Sequence, residues 1–463
     1  MYPRRTEMIP LLMPALSLIA GIMVAPLMPH ARGIVAAFAL CVVLTWILHR
    51  RAYLQTVGIL SCFFLLGMQV AQPQERHSLD DCQVEAVVFS EPSEKPKTIA
   101  VDLLLPEEDR RVRCFLWKDE RSRQLQLGSN LVVNHPDSGF VRSKDWAFGG
   151  SGSVKLSRLQ RVQLRFLRYR HQLLSRFRVH SVDDEQYAVL AAMALGDKSA
   201  LTKELRETYS VTGASHILAL SGLHLGIIYL LLFRLTLGRR RFWLSQVVII
   251  LSIWAFVFLT GMSTSVVRSA TMISVYALFS VAGRHRSPVN LLCFTAIVML
   301  IVSPQSLYDI GFQLSFSAVL AILLLMPVFE SFFPDDYLVK HPMVRYIYNM
   351  VGVSVAAQIG VAPLIAYHFG RFSTYFLLTN FLVIPAATII LYAALLVVMF
   401  PACGSVLLSL VGMLNKALGW ISQMPCASID GLHPSVFQVF LLYIVFFCIY
   451  FSLRTLHRVP PVT

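Results

Sequence analysis

Apolar runs long enough to cross a bilayer recur from one end of this 463-residue sequence to the other. A hydrocarbon core about 30 Å thick takes roughly 20 apolar residues per helix. Residues 9–27, 31–48 and 54–71 form three such runs. About nine more follow, near residues 215–237, 242–260, 264–282, 289–302, 311–328, 345–367, 375–400, 404–422 and 436–453. Inside lipid every backbone N–H and C=O must be satisfied internally, which leaves helices or closed barrels. Runs of this length predict an all-α polytopic membrane protein of about twelve transmembrane helices. Composition agrees, with 56% hydrophobic and only 14% charged residues, against about 25% charged in a soluble chain.

The first run has the look of a signal peptide. However, Pro10, Pro14 and Pro26 interrupt it and further runs follow at once, so it reads as a first transmembrane helix. Arg4 and Arg5, the "HRR" at 49–51, and the clusters "GRRRF" (238–242), "GRHR" (283–286), "KHPMVR" (340–345) and "RTLHR" (454–458) fall on alternate connections. The positive-inside rule puts them, and both termini, in the cytoplasm. The expected location is the cytoplasmic (inner) membrane, with the polar region 72–154 outside it.

That region reads as short strands bounded by Pro, Gly, Asp and Ser: "QVEAVVF" (83–89), "TIAVDLLL" (98–105), "RVRCFLW" (111–117) and "NLVVN" (130–134). Such strands suit a small inserted β-domain, OB-like in character, that either scaffolds the membrane part or offers Arg111, Arg113, Phe115 and Trp117 to a nucleic acid. Of eight cysteines none stands in a CxxC spacing. On an oxidising side Cys82 and Cys114 are candidates for a disulfide.

Residues 155–180 form a basic amphipathic helix. Arg158, Arg161, Arg165, Arg168 and Arg176 share one face, with an expected apolar stripe of Leu159, Val162, Phe166, Tyr169, Leu173 and Phe177 beside it. The arginines suit anionic lipid or a phosphate backbone, and a position outside the cytoplasm favours the second. The expected division is residues 1–71, N-terminal transmembrane helices; 72–154, the β-domain; 155–182, the basic helix; and 183–455, the main membrane domain. A polar helical segment from residue 183 leads into that domain.

Polar groups then interrupt the apolar runs. "GASHILALSGLHLGII" (213–228) carries Ser215, His216, Ser221 and His224, with Ser215, Ala219, Gly222 and Gly226 forming a stripe of small residues. Such a stripe admits a neighbouring backbone or lines a cavity. Ser221 and His224 share a face, which suits a hydrogen-bonded core histidine, a polar lining or a Ser–His catalytic pair. "TGMSTSVVRSATM" (260–272) puts Arg268 inside an apolar helix, with Thr264 and Thr271 on its face. A buried guanidinium needs a partner: a carboxylate, with Asp309 or Glu185 available, or a phosphate. "DIGFQLSF" (309–316) adds Gln313. "AQIGVAPLIAYHFGRFS" (357–373) adds Gln358, Pro363, His368 and Arg371, and "LTNFLVIPA" (378–386) adds Asn380 and a helix-breaking Pro385. Together they predict a polar-lined bundle of broken helices, as transport pathways use. There is no Walker A loop, no HExxH and no His-rich zinc pattern, so no cofactor or metal is expected.

"LAAMALGDKS…TGASHILALSGLHLGII" closely resembles the signature of ComEC-type DNA-uptake channels, the competence family. "TGMSTSVVRSATM", "SPQSLYDIGFQLSFSAV" and "AQIGVAPLIAYHFGRFS…NFLVIP" look like its further motifs, in the same order. The resemblance implies import of one strand of transforming DNA across the cytoplasmic membrane. Ser215, His216, Ser221, Gly222, His224, Arg268, Gln313 and Gln358 would line the path. The implied partners are single-stranded DNA, the lipid bilayer, a cytoplasmic helicase-type motor and an extracytoplasmic DNA-receptor protein, with homo-oligomerisation left open. Many members continue into a metallo-β-lactamase-like domain. No HxHxDH-type signature occurs here, so the resemblance is to a short form, a channel and not a nuclease. Two alternatives stand beside it: a permease for another anionic polymer or lipid, and an intramembrane hydrolase using Ser221 and His224.

Overall fold

The computed structural model describes residues 10–28, 33–47, 50–72, 83–94, 97–134, 140–141, 145–149, 154–179, 184–236, 242–281, 287–333 and 335–456. Cys82, Arg4, Arg5, His49, the arginines at 239–241, the cluster at 283–286, and His457 and Arg458 lie outside them.

The chain opens with α1 (Leu12–Val24), α2 (Ile34–Ile47) and α3 (Ala52–Val70). α1 and α3 meet backbone to backbone. A Cβ at Gly21 would stand 2.1 Å from the Phe64 carbonyl oxygen, and one at Gly67 would stand 2.3 Å from that of Leu18. Glycine at both positions is what permits this approach, as small residues do between membrane helices.

A seven-stranded, barrel-like sheet follows, built from β1 (Gln83–Val88), β2 (Ser93–Glu94), β3 (Thr98–Leu105), β4 (Arg110–Trp117), β5 (Asn130–Asn134), β6 (Phe140–Val141) and β7 (Trp146–Phe148), with a short α4 (Glu120–Arg123) after β4. The order is β6-β4-β3-β1-β5-β7, with β2 paired to β3. Alternation along each strand decides what is buried. Ile99, Val101 and Leu103 of β3 point inward with Ala86, Val88, Cys114, Leu116, Leu131 and Val133. The four strands legible in the sequence are all present. β2, β6 and β7 are two or three residues long, too short to leave a period-2 pattern.

α5 (Arg158–Val179) crosses the sheet. It starts on a reciprocal cap, with Ser157 N–H donating to Gln160 Oε1 at 2.9 Å and Gln160 N–H donating to Ser157 Oγ at 3.2 Å. Its buried face keeps Leu173 and Phe177 of the expected stripe but not Leu159, Val162 and Tyr169. Leu164 and Leu167 pack on Phe89 and Leu104 of the sheet, and Leu173, Leu174 and Phe177 enter the bundle core. Leu159, Val162 and Tyr169 stay exposed beside Arg158, Arg161, Arg165 and Arg168. The helix is rotated because it must satisfy two surfaces, and Gln160 and Gln163 are buried where they bond to the sheet's Asp109 and Arg111.

The bundle comprises α6 (Asp184–Leu195), α7 (Lys203–Val211), α8 (Ser215–Leu218), α9 (Gly222–Leu235), α10 (Phe242–Leu259), α11 (Thr264–Val281), α12 (Pro288–Val302), α13 (Ile310–Glu330), α14 (Asp335–Lys340), α15 (Pro342–Phe369), α16 (Phe376–Met399), α17 (Gly404–Ser422) and α18 (Val436–Leu456). β8 (Arg371–Ser373) and β9 (Ser428–Asp430) form a small antiparallel ladder. α6, expected to be a polar lead-in, is buried at every position from Tyr187 to Leu195 and packs among α16 and α17. A helix apolar all round belongs inside; the acidic residues flanking it mask this in composition.

Among the described residues eight helices are long and apolar enough to cross a membrane. Four more apolar helices, Leu12–Leu27, Ile34–Ile47, Gly222–Leu235 and Pro288–Val302, are shorter. A 14-residue helix rises about 21 Å, less than the hydrocarbon thickness of about 30 Å. The sequence expectation of about twelve spans therefore meets eight full-length helices. Pro363 and Pro385 do not break their helices, since α15 and α16 run straight through them. Neighbouring helices re-satisfy the carbonyls that an intramembrane proline frees. The break falls instead at residues 219–221, where Ala219 and Ser221 are extended and separate α8 from α9.

Candidate functional site

The polar residues of the motifs gather at the end of the bundle that adjoins the sheet. Arg111 of β4 reaches the turn between α10 and α11, donating to the Gly261 carbonyl at 3.3 Å and to Gln163 Oε1 at 3.1 Å, with its guanidinium over the Phe89 ring. In that turn Gly261 and Met262 both have positive φ, 78° and 58°, a conformation uncommon for a residue like methionine. Gln163 also donates to Met262 Sδ. Arg111 is therefore a docking residue between sheet, α5 and bundle. Arg113 pairs with Asp102 across the β3–β4 ladder at 2.7 Å, which holds its pKa above the ordinary arginine value. Phe115 stacks on Phe140, and Trp117 is exposed.

Seven residues past that turn, Arg268 is 5% exposed in α11. Its Nη1 donates to Asp309 Oδ1 at 3.0 Å, so Asp309 rather than Glu185 is the partner. Thr271 turns its hydroxyl to the Val267 carbonyl. Asp309 is also the N-cap of α13, accepting from Phe312 N–H at 2.8 Å. One turn on, Gln313 donates to the Leu307 carbonyl at 3.0 Å and lies 3.4 Å from His368 Nε2 at the end of α15. Arg371 follows at once. It bonds Asp430 of β9, Glu207 of α7 at 2.7 Å and Ser210 Oγ at 3.1 Å. Its bond to Glu207, with Asp430 adding, holds its pKa above the ordinary value. Gln358 sits half-buried on α15, away from this chain of contacts. Among the described residues no group of three or more His, Cys, Asp or Glu side chains comes together as a metal site would require.

Ser221 and His224 meet as the sequence spacing implied. Ser221 Oγ lies 2.9 Å from His224 Nδ1, and Ser221 N–H donates to the same nitrogen at 3.3 Å. Nδ1 is thus the acceptor and the ring proton sits on Nε2. That Nε2 is buried with no partner among the described residues, and no carboxylate orients the ring. A catalytic serine needs a base held by a third group. The arrangement here is a cap on the first turn of α9. Ser221→Ala keeps the backbone N–H bond and loses only the hydroxyl contact, so it should cost about 1 kcal/mol and leave activity in place. Abolished activity with normal abundance would instead mark Ser221 as a nucleophile.

Ser215, His216, Gly222 and Gly226 are all exposed. A Cβ at Gly222 would touch Ser269 Oγ of α11 at 3.1 Å, and one at Gly226 would meet nothing within 4 Å. Gly222 and Gly226 thus leave one face of α9 open, with α11 at its edge, whereas Ser215 lies on α8 and Ala219 in the break, so the four do not form one helical stripe. Sequence reasoning missed the Arg371 cluster, because its acids lie 164 residues before it and 59 after it in the chain, at Glu207 and Asp430 (371 − 207 and 430 − 371). It also missed the docking role of Arg111.

The family model described as Competence protein matches residues 193–456, more than half of the sequence and the stretch that carries every one of these bundle contacts except that of Arg111. The chain belongs to the competence protein family. Among its relatives, ComE operon protein 3 of Bacillus subtilis is 26% identical over 309 residues, covering 64% of this chain and 38% of the relative. An uncharacterized protein of Aquifex aeolicus is 31% identical over 195 residues, 42% of this chain and 43% of the relative. Recombination protein 2 of Haemophilus influenzae is 24% identical over 221 residues, 46% of this chain and 28% of the relative. The matched stretch spans less than half the length of each of these relatives. No solved structure matches.

Proposed function

We propose that this competence-family chain is a channel that admits single-stranded DNA across the cytoplasmic membrane during transformation. The observation that carries the reading is the match of residues 193–456 to the competence model, with a relative named for the ComE operon. The geometry supports it. Polar residues of four separate motifs converge at one end of an apolar bundle, beside an open face of small residues on α9. Ser215, His216, Ser221, Gly222, His224, Arg268, Gln313 and Gln358 border the path in this reading. The exposed Arg158, Arg161, Arg165 and Arg168 of α5 lead towards it, and Arg111 and Arg113 support the sheet that carries α5.

The reading extends to twelve crossings with both termini cytoplasmic, an OB-like β-domain outside, and a Cys82–Cys114 bridge there. A polyanion needs an external driving force, so a cytoplasmic helicase-type motor and an extracytoplasmic DNA receptor complete the pathway. The chain itself performs no chemical step. The test is deletion of the gene in a transformable host, with uptake of labelled DNA into a nuclease-resistant cytoplasmic pool as the readout. Loss of uptake, restored by the plasmid-borne gene, is expected. Undiminished uptake in the deletion strain would reject the reading and leave a permease for another anionic polymer.

A further inference from the structure

Arg268 and Asp309 form an ion pair that is unequal in burial and incompletely satisfied. The Arg268 side chain is 5% exposed and that of Asp309 is 43% exposed. Of the guanidinium's five N–H donors, one makes a good bond, Nη1 to Asp309 Oδ1 at 3.0 Å. Nη2 reaches only Ser315 Oγ at 3.5 Å, and Nε is buried with no partner among the described residues. The carboxylate is shared as well, since the same Oδ1 caps α13 through Phe312 N–H at 2.8 Å. Asp309 can therefore let go of Arg268 and keep its cap. Gly311 lets the pair lie directly against the backbone of α13, for a Cβ there would stand 2.7 Å from Nη2 and 3.0 Å from Oδ1. A buried cation with unmet donors, closed over by a half-exposed anion, is accessible to a ligand by one route, replacement of that anion.

We infer that Asp309 is a displaceable counter-ion, and that a phosphodiester of the passing strand takes its place on Arg268. This rests on reading the chain as a DNA path. Two non-bridging phosphate oxygens match the guanidinium fork bidentately, which satisfies donors that Asp309 leaves unmet. A halide offers a single point of contact and gains nothing over the carboxylate. The pair thus keeps a buried cation's charge compensated at rest and selects for phosphodiesters in use.

The test titrates a fluorescent single-stranded oligonucleotide against the purified full chain in nanodiscs, over a range of salt. The variants are Asp309→Ser, Asp309→Asn, Arg268→Gln and Arg268→Gln/Asp309→Ser. Serine and asparagine both cap a helix, so α13 keeps its start while the competing charge is gone. Each should tighten binding by about tenfold, as expected for removing one charge a few Å from a phosphate in a partly screened site. Arg268→Gln should weaken binding and lower the salt slope by about 1, and Asp309→Ser should add nothing in its background. Unchanged or weaker binding by the folded Asp309 variants would overturn the inference. So would failure of both to assemble with rescue by the double variant, which would make the pair a fixed structural bridge. If no version binds the oligonucleotide, inorganic pyrophosphate serves as the probe. Arg268-dependent tightening by Asp309→Ser would then uphold the exchange and sink the DNA path alone, while no tightening with either probe would sink the exchange.

Discussion

Replacing Arg268 with alanine is expected to abolish DNA uptake while leaving the chain folded in the membrane. Breaking a buried ion pair usually costs about 3–5 kcal/mol, because the surviving charge is left buried and unpaired. Here the survivor is Asp309, which is half-exposed and still engaged as the cap of α13. Water replaces the guanidinium, so the usual penalty does not apply on that side. What disappears is a buried cation on the helix that follows the turn Arg111 ties to the sheet. Arg268→Lys keeps the charge and loses the bidentate fork, so it should retain partial uptake. Uptake of labelled DNA and membrane abundance are measured side by side. Normal uptake by the alanine variant would remove Arg268 from the mechanism. Loss of the protein itself would assign the residue to structure.

The parts of this arrangement differed in how far the sequence revealed them, for physical reasons. β3 and β5 were legible to the residue, because alternate burial in a half-covered sheet writes a period of two into the chain. The pairing of Ser221 with His224 was legible because a spacing of three brings two side chains together at a helix start. Asp309 was readable only as one of two acids that might serve Arg268, since contact across 41 residues leaves no local period. The face of α5 was legible only in part: Leu173 and Phe177 are buried as expected, but hydrophobicity alone also selects Leu159, Val162 and Tyr169, where the sheet and bundle recruit Leu164, Leu167 and Leu174 with two buried glutamines. The break at 219–221 was hidden by its own composition, "ALS", in which only the backbone is unusual. The ladder of β8 and β9, and the Asp430 it brings to Arg371, join residues 59 apart (430 − 371) and leave no local period.

The closest backbone approach between α1 and α3 yields the second large effect. Gly67→Leu is expected to deplete the protein from the membrane. Its Cβ would fall 2.3 Å from the Leu18 carbonyl oxygen and 3.1 Å from the Ile22 amide. Those atoms are helix backbone and cannot swing aside as a flexible side chain would. Gly21 makes the reciprocal contact, 2.1 Å from the Phe64 oxygen and 3.1 Å from the Met68 amide, so the helices must separate along their whole crossing. Overpacking a tight core costs about 1–3 kcal/mol when side chains can repack, and the cost is greater where backbone blocks relaxation. The damage also reaches the site. Leu18 and Ile22 belong to the cluster that holds Val289, Cys293 and Ile297 of α12 against Phe312, whose N–H is capped by Asp309. A loss of this size lowers abundance several-fold through quality control. Gly226→Ala is the matched control, because its added methyl meets nothing within 4 Å, and it should accumulate as wild type does. Quantitative immunoblotting of membranes decides the matter, and wild-type accumulation of Gly67→Leu would mean that α1 and α3 do not cross at these glycines.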